Sequence, residues 1–262
     1  MLSLDLTGKT ALIAGSTQGI GFASAAALAS LGADCVLIAR NEGKLKDAVD
    51  RLDVTKGQKH GYVVADFEQP MDVEQKVAAF IKTKPIDILI NNTGGPAGGP
   101  ITEATPEAFI AAIQQHLICN HILVKLVVPA MKQAGYGRIV NIISTSVKIP
   151  LRNLGVSNTT RAAVAGWAKT MSNELGQFGI TVNNVLPGAT MTGRLESIIN
   201  NKVSKTGVSQ DEVEQEMIDE IPAKRFGQPE EIAAMVAFLC TPAAAYVNGT
   251  SIPVDGGRTG SI

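Results

Sequence analysis

The segment Ala14-Gly15-Ser16-Thr17-Gln18-Gly19-Ile20-Gly21 joins a short apolar run, residues 10–14, to a helical pattern over 19–31. A strand that ends in a glycine turn and leads at once into a helix opens a strand–helix–strand unit. Glycines spaced GxxxGxG keep side chains out of the turn, so its backbone can approach a bulky anion. The helix start that follows adds unpaired N–H groups and a partial positive charge. Such a junction suits a pyrophosphate, with Gly15, Ser16, Thr17, Gln18, Gly19, Ile20 and Gly21 as its wall.

Outward from this turn the same alternation continues. Residues 35–39, 61–64, 87–91, 138–143, 181–186 and 251–254 are further short strands, several of them apolar at nearly every position. That pattern belongs to strands covered on both faces. Helical patterns fall between them, over 44–52 and over 107–133. The latter is capped by Thr105 with Pro106 at its first position. The expectation is a doubly wound, Rossmann-type α/β fold with an open parallel sheet, in which residues 1–262 form one domain. Two segments stand apart. Residues 93–100 form a Gly/Pro-rich loop at the expected ligand edge. Residues 191–221 are polar, with two amphipathic stretches and a Ser209/Glu212 capping box. The second is read either as a lid over the substrate or as a plain surface hairpin.

Composition narrows the function. With 23 basic and 24 acidic residues, the net charge of −1 offers no field for nucleic acid or an anionic membrane. The three cysteines, Cys35, Cys119 and Cys240, each lie in an apolar run and read as reduced, buried thiols. The first residues lack the pattern of a signal peptide, and no apolar run approaches the roughly 20 residues of a membrane span. A cytoplasmic protein acting on a small molecule is expected.

The end of the second strand selects the coenzyme. An acid there would bind a ribose 2′-hydroxyl, but the chain reads Ala39-Arg40-Asn41. Arg40, with Asn41 beside it, suits a 2′-phosphate, so NADP(H) is preferred over NAD(H).

Several further stretches match in order along the chain: Asp66-Phe67 after the third strand, Asn91-Asn92-Thr93-Gly94, Gly137-Arg138-Ile139-Val140-Asn141, Pro187-Gly188 with Thr190 and Thr192, Arg225-Phe226-Gly227-Gln228-Pro229-Glu230-Glu231-Ile232, and Val254-Asp255-Gly256-Gly257. With the glycine turn, they make the chain resemble the short-chain dehydrogenase/reductase family, particularly its 3-oxoacyl-carrier-protein reductase-like branch. The resemblance implies a seven-stranded sheet, a nicotinamide coenzyme and a homotetramer built through two long helices and the last strand. It also implies Asp66 at the adenine, Asn92 near the adenosine ribose and Thr192 at the carboxamide.

The family's catalytic Asn, Ser, Tyr and Lys slots fall on His116, Ser144, Ser157 and Arg161. Only Ser144 keeps its identity, and no tyrosine lies between residues 137 and 245. Serine is a far weaker acid than a phenol, and arginine does not release its proton at working pH. The expectation is that Ser144 and Ser157 bind the substrate oxygen, Arg161 supplies positive charge, and His116 delivers the proton. The competing readings are a catalytically inactive NADP(H)-binding scaffold or sensor, and a non-redox lyase. Retention of Gly15, Gly19, Gly21 and Thr192 argues against the lyase. His121 lacks a third ligand nearby in sequence, Lys148 reads as a loop lysine, and Tyr136 reads as a surface residue away from the site.

Overall fold

The computed structural model describes residues 2–261. Seven parallel strands form one sheet: β1 (Thr10–Ala14), β2 (Asp34–Ala39), β3 (Gly61–Val64), β4 (Ile88–Asn91), β5 (Gly137–Ile142), β6 (Ile180–Pro187) and β7 (Ser251–Val254). Their order is β3-β2-β1-β4-β5-β6-β7. The chain winds outward one way from β1 and then the other way from β4. A crevice therefore opens between the C-terminal ends of these two neighbours.

Alternation along each strand explains the unbroken apolar runs. In β1, Ala11 and Ile13 enter one core layer and Leu12 and Ala14 enter the other. The first layer packs against α1 (Gly19–Ser30) and α9 (Pro229–Cys240), through Ala25, Leu28, Val236 and Leu239. The second packs against α3 (Pro70–Ile81), α5 (Cys119–Ala134) and α6 (Gly155–Leu175), through Val77, Leu123, Met131 and Met171. The helix over residues 70–81 has no counterpart in the sequence reading. Its start rests on Pro70 at the first helical position, with no side-chain cap from Gln69.

Residues 191–221 contain the two anticipated helices, α7 (Gly193–Thr206) and α8 (Gln210–Asp219). Thr192 caps the first, and the Ser209/Glu212 capping box is formed at the second. Leu195, Ile199, Val213 and Ile221 gather with Phe226 into a small core separate from the two main layers. Thr105 likewise accepts from the amide of Ala108 and caps α4 (Pro106–Ile113).

Three expectations change. The helix over 107–133 is not uniform, because a π-helical turn at Gln114–Ile118 separates α4 from α5. The helical stretch Pro106–Ala134, with a mean hydropathy of 1.3 over its most apolar part, is long and apolar enough to cross a membrane by length and composition alone. Leu123, Val127 and Met131 nevertheless seat it in the second core layer. Tyr136 is half-buried rather than a free surface residue. Its hydroxyl donates to the Cys240 carbonyl at 2.8 Å, and its ring packs 4.0 Å from Lys9 Nζ and 4.3 Å from the Arg138 guanidinium. Burial pushes its phenol up to about 12. The three cysteines are buried and unpaired, as read, and burial raises their thiol pKa values.

Beneath the C-terminal edge runs a line of amides. Asn91 Nδ2 donates to Asn141 Oδ1 at 2.8 Å, Asn141 Nδ2 to Asn184 Oδ1 at 2.9 Å, and Asn184 Nδ2 to Ser251 Oγ at 3.0 Å. Strand register sets these residues side by side across β4, β5, β6 and β7.

Leu123 is wholly buried, whereas Met71 is 73% exposed. Leu123→Ala is expected to cost about 2–5 kcal/mol in urea unfolding, and Met71→Ala less than about 0.5 kcal/mol. Equal costs would show that the second layer is misassigned.

Candidate active site

The crevice between β1 and β4 broadens into a cavity of about 1410 Å³ at the C-terminal edge of the sheet. Its first wall is the glycine turn. Gly15 has φ +59°, and its carbonyl accepts from Asn92 Nδ2 at 3.0 Å. A Cβ on Gly15 would lie 2.5 Å from the Asn92 carbonyl oxygen, and one on Gly21 would lie 2.1 Å from the Gly15 oxygen. These two glycines are therefore demanded by packing. Thr17, Gln18, Gly19 and Ile20 face the cavity. Gln18 stands at the N-cap of α1 without a side-chain cap bond, so the first N–H groups of that helix remain open to an anion. Ser16 turns the other way, buried and donating to the Ile38 carbonyl at 3.5 Å. Gly21 also stays off the cavity wall.

A second group lies at the ends of β2 and β3. Arg40 is exposed and pairs loosely with Glu68, at 3.5 Å. Asn41 accepts from the Lys44 amide at 2.9 Å and caps α2 (Glu42–Asp50). Lys44 itself lines the cavity beside Arg40, a second cation that the sequence reading missed. Its position one turn into the helix behind Arg40 was the available signal. Asp66 and Phe67 line the same region, and Asp66 Oδ1 accepts from the Glu68 amide at 3.0 Å. The exposed Arg40–Glu68 pair is worth little to stability. An open glycine cradle, an uncapped helix start and a cationic rim beyond β2 together fit a dinucleotide with an added phosphate.

The reacting end lies where β4, β5 and β6 finish. Ser144 leaves β5 with extended backbone, and its Oγ accepts from the Ser146 amide at 3.1 Å. Ser157, on the first turn of α6, accepts from Arg161 Nε at 3.4 Å. Both serines border the cavity, and each has its acceptor side occupied by an N–H. Their hydroxyl protons are left for a third partner. Arg161 also donates through Nη1 to the Ile142 carbonyl at 3.3 Å. Burial and the neighbouring Arg194 push its pKa down to about 10, which leaves it a cation at neutral pH.

His116 is brought to this cluster by the π-turn but lies behind the wall. Its Nδ1 is hydrogen-bonded to the Thr93 hydroxyl, and its Nε2 is enclosed without a protein partner. Burial, with Arg161 and Arg194 nearby, pushes its pKa down to about 3. The sequence argument for this residue was titration near neutrality, and the surroundings remove that property. Gln115, its neighbour, lines the cavity instead, as do Thr93 and Gly94.

Pro187 ends β6, and with Gly188 and Thr190 just beyond it lines the cavity. Gly188 packs so closely that an added Cβ would lie 2.7 Å from Asp255 Cβ. Thr192 caps α7 while its methyl faces Gly19, 3.3 Å from where a Cβ would stand there. The start of α7 thus leans over the phosphate turn. Two residues on, Arg194 enters the cavity and donates through Nη2 to the Pro96 carbonyl at 2.7 Å. Nothing in the sequence distinguished Arg194 from an ordinary helix arginine. Its significance comes from the tertiary contact with the Gly/Pro loop. Lys148 is exposed, and His121 lies near the Trp167 indole, which donates to its Nδ1 at 3.4 Å.

This geometry has counterparts among known proteins. The family model described as enoyl-(acyl carrier protein) reductase matches residues 14–259. A 7α-hydroxysteroid dehydrogenase of Escherichia coli (strain K12) is 34% identical, over 97% of this chain and 96% of its own. The NADPH-dependent reductase BacG of Bacillus subtilis (strain 168) is 31% identical, over 97% of this chain and 99% of its own. Among solved structures, L-sorbose reductase from Gluconobacter frateurii, complexed with NADPH and L-sorbose, superposes with a TM-score of 0.92 at 31% identity. That match covers 99% of this chain and 100% of the other. Strand order, nucleotide cradle and similarity from end to end agree, and the chain belongs to the short-chain dehydrogenase/reductase family of oxidoreductases.

Proposed function

We propose that this chain is an NADP(H)-dependent oxidoreductase acting on a carbonyl/alcohol pair, with an active site of Ser144, Ser157, Arg161 and His116 in place of the usual tetrad. The observation that carries the reading is the convergence of two serine hydroxyls, both with free protons, on one cavity wall backed by the Arg161 cation. The cradle would hold NADPH, whose chemistry would be hydride transfer. Arg40 and Lys44 take the 2′-phosphate, and the open N–H groups of α1 take the diphosphate. The NADPH named for BacG and for the L-sorbose reductase supports this choice of coenzyme.

At the reacting end, Ser144 and Ser157 donate to the substrate oxygen. As negative charge grows there, Arg161 stabilises it through Ser157 and through the field of its fixed charge. The proton that completes an alcohol comes from water in the open cavity, handed to the oxygen beside the two hydroxyls. His116 is neutral at working pH and acts by holding Thr93, as a positioning residue. The 191–221 hairpin serves as a lid, since it has its own small core and rests Thr192 on Gly19. Ile110 and Ile118, exposed on the long helical stretch, belong to a subunit contact in a homotetramer.

Three measurements test this reading. NADPH is expected to bind more tightly than NADH by fluorescence titration, and Arg40→Ala to weaken NADPH about 10-fold or more while leaving NADH unchanged. Equal weakening of both would remove the 2′-phosphate role. Ser157→Tyr combined with Arg161→Lys is expected to raise turnover of simple ketones at least 10-fold, and no gain would mean that the surrounding site does not orient a carbonyl. For His116, the native pKa of about 3 lies below the unfolded value of 6.5. As pH falls through 6.5 the unfolded chain takes up a proton that the native state refuses, so stability present above that pH is lost towards pH 3. The residue contributes a slope of up to about 1.4 kcal/mol per pH unit in that window. His116→Asn is expected to flatten chemical-denaturation stability between pH 6 and 4. An unchanged slope would show that the ring is not held neutral.

A further inference from the structure

The reacting end of the cavity carries two guanidinium groups, Arg161 and Arg194. Neither Arg161 nor Arg194 forms an ion pair with any described residue. Among the acids that line the cavity, Glu196 stands two positions from Arg194 but forms no ion pair with it, and Asp66 accepts from the Glu68 amide. Glu68 pairs with Arg40, Glu216 with Lys202 at 2.6 Å, and Glu220 with Arg258. Two half-buried cations that share one wall repel each other, and each loses hydration with no opposite charge paired to it. An anion between them relieves both penalties.

The two arginines are not equivalent. Arg161 is tied down by Ser157 and the Ile142 carbonyl. Arg194 has a single protein hydrogen bond, to the Pro96 carbonyl, which engages one of the five guanidinium N–H donors. The Gly/Pro loop keeps it in place, because a Cβ at Gly95 would lie 3.3 Å from Arg194 Nε and Nη2. The side chain is therefore oriented but unsaturated, a planar fork presented to the cavity. Carboxylates match such a fork with two parallel hydrogen bonds. The remaining wall near this point includes Leu154, Met191, Ile198 and Met217, which suit an apolar remainder.

We infer that the substrate is an oxo acid or the corresponding hydroxy acid, whose carboxylate is gripped by Arg194 while Ser144, Ser157 and Arg161 hold its reducible oxygen. The inference rests on the function proposed above and specifies its substrate class. Arg194 sets specificity and takes no part in moving hydride or proton.

The test uses the intact protein loaded with NADPH, titrated in parallel with malonate and with uncharged malonamide. Binding is followed by coenzyme fluorescence and by Tm. Malonate is expected to give a saturable response and raise Tm, while malonamide gives neither. Arg194→Gln is expected to weaken malonate about 10-fold or more, and Arg194→Lys to restore part of the loss. NADPH affinity is expected to stay unchanged in both variants. No response to malonate, an equal response to malonamide, or a response that survives in Arg194→Gln overturns the inference. A loss of NADPH binding in Arg194→Gln also overturns it, by assigning the fork to the coenzyme diphosphate. The malonate titration is repeated on coenzyme-free protein. If wild-type protein binds neither coenzyme, the oxidoreductase reading fails, and the Arg194-dependent malonate response still reports separately on the anion site.

Discussion

The working edge of the sheet depends on one close approach, the hydrogen bond from the Asn92 amide to the Gly15 carbonyl at 3.0 Å. It ties the end of β4 to the end of β1 at the point where the chain's two winding directions part. The contact exists because Gly15 and Gly21 carry no Cβ, and either one with a side chain would drive the turn off Asn92. With the carbonyl of Gly15 held inward, the turn and the start of α1 present their N–H groups outward. The outward N–H groups of the turn, the position of Thr93 beside Asn92 and the seating of His116 behind Thr93 all follow from that junction.

Much of this was legible in the residues. Full apolarity in the strands reported two covered faces, and the turn chemistry at Gly15–Gly21 located the ligand edge. Thr105 and the Ser209/Glu212 pair announced their helix starts correctly, because a cap is a local interaction. Long-range environment was not legible. His116 looked like a group that titrates near neutrality, but its ionisation is governed by burial and two arginines distant in sequence. Arg194 draws its importance from Pro96, 98 positions away. Tyr136 became a cross-tie because Cys240, Lys9 and Arg138 converge on it. The π-turn at residues 114–118 also left no mark in the periodicity, since one widened turn shifts the apolar stripe by less than the stripe's own width.

The exchanged slots alter what kind of catalyst the site can be. A phenol beside an ammonium is a proton source with an adjustable acidity. Two hydroxyls beside a permanently charged guanidinium instead form a receptor for negative charge. Under the proposed mechanism such a site would favour transition states that accumulate charge on oxygen and would leave the final proton to the solvent. Its chemistry is therefore governed less by acid strength than by how well geometry and field fit a developing oxyanion.

The line of amides from Asn91 to Ser251 has a further consequence. Every N–H in it points the same way, from β4 towards β7, so the small dipoles add and each bond polarises the next. Removing either inner member, Asn141 or Asn184, would strand a buried amide and leave the partner on its other side short of a hydrogen bond, so the row stands or falls together. It acts as a transverse truss one residue below Asn92 and three below Ser144 and Pro187. The helix-borne positions 116, 157 and 161 stand outside this truss. Side chains at these helix positions can therefore be exchanged without loosening the strand ends that floor the cavity.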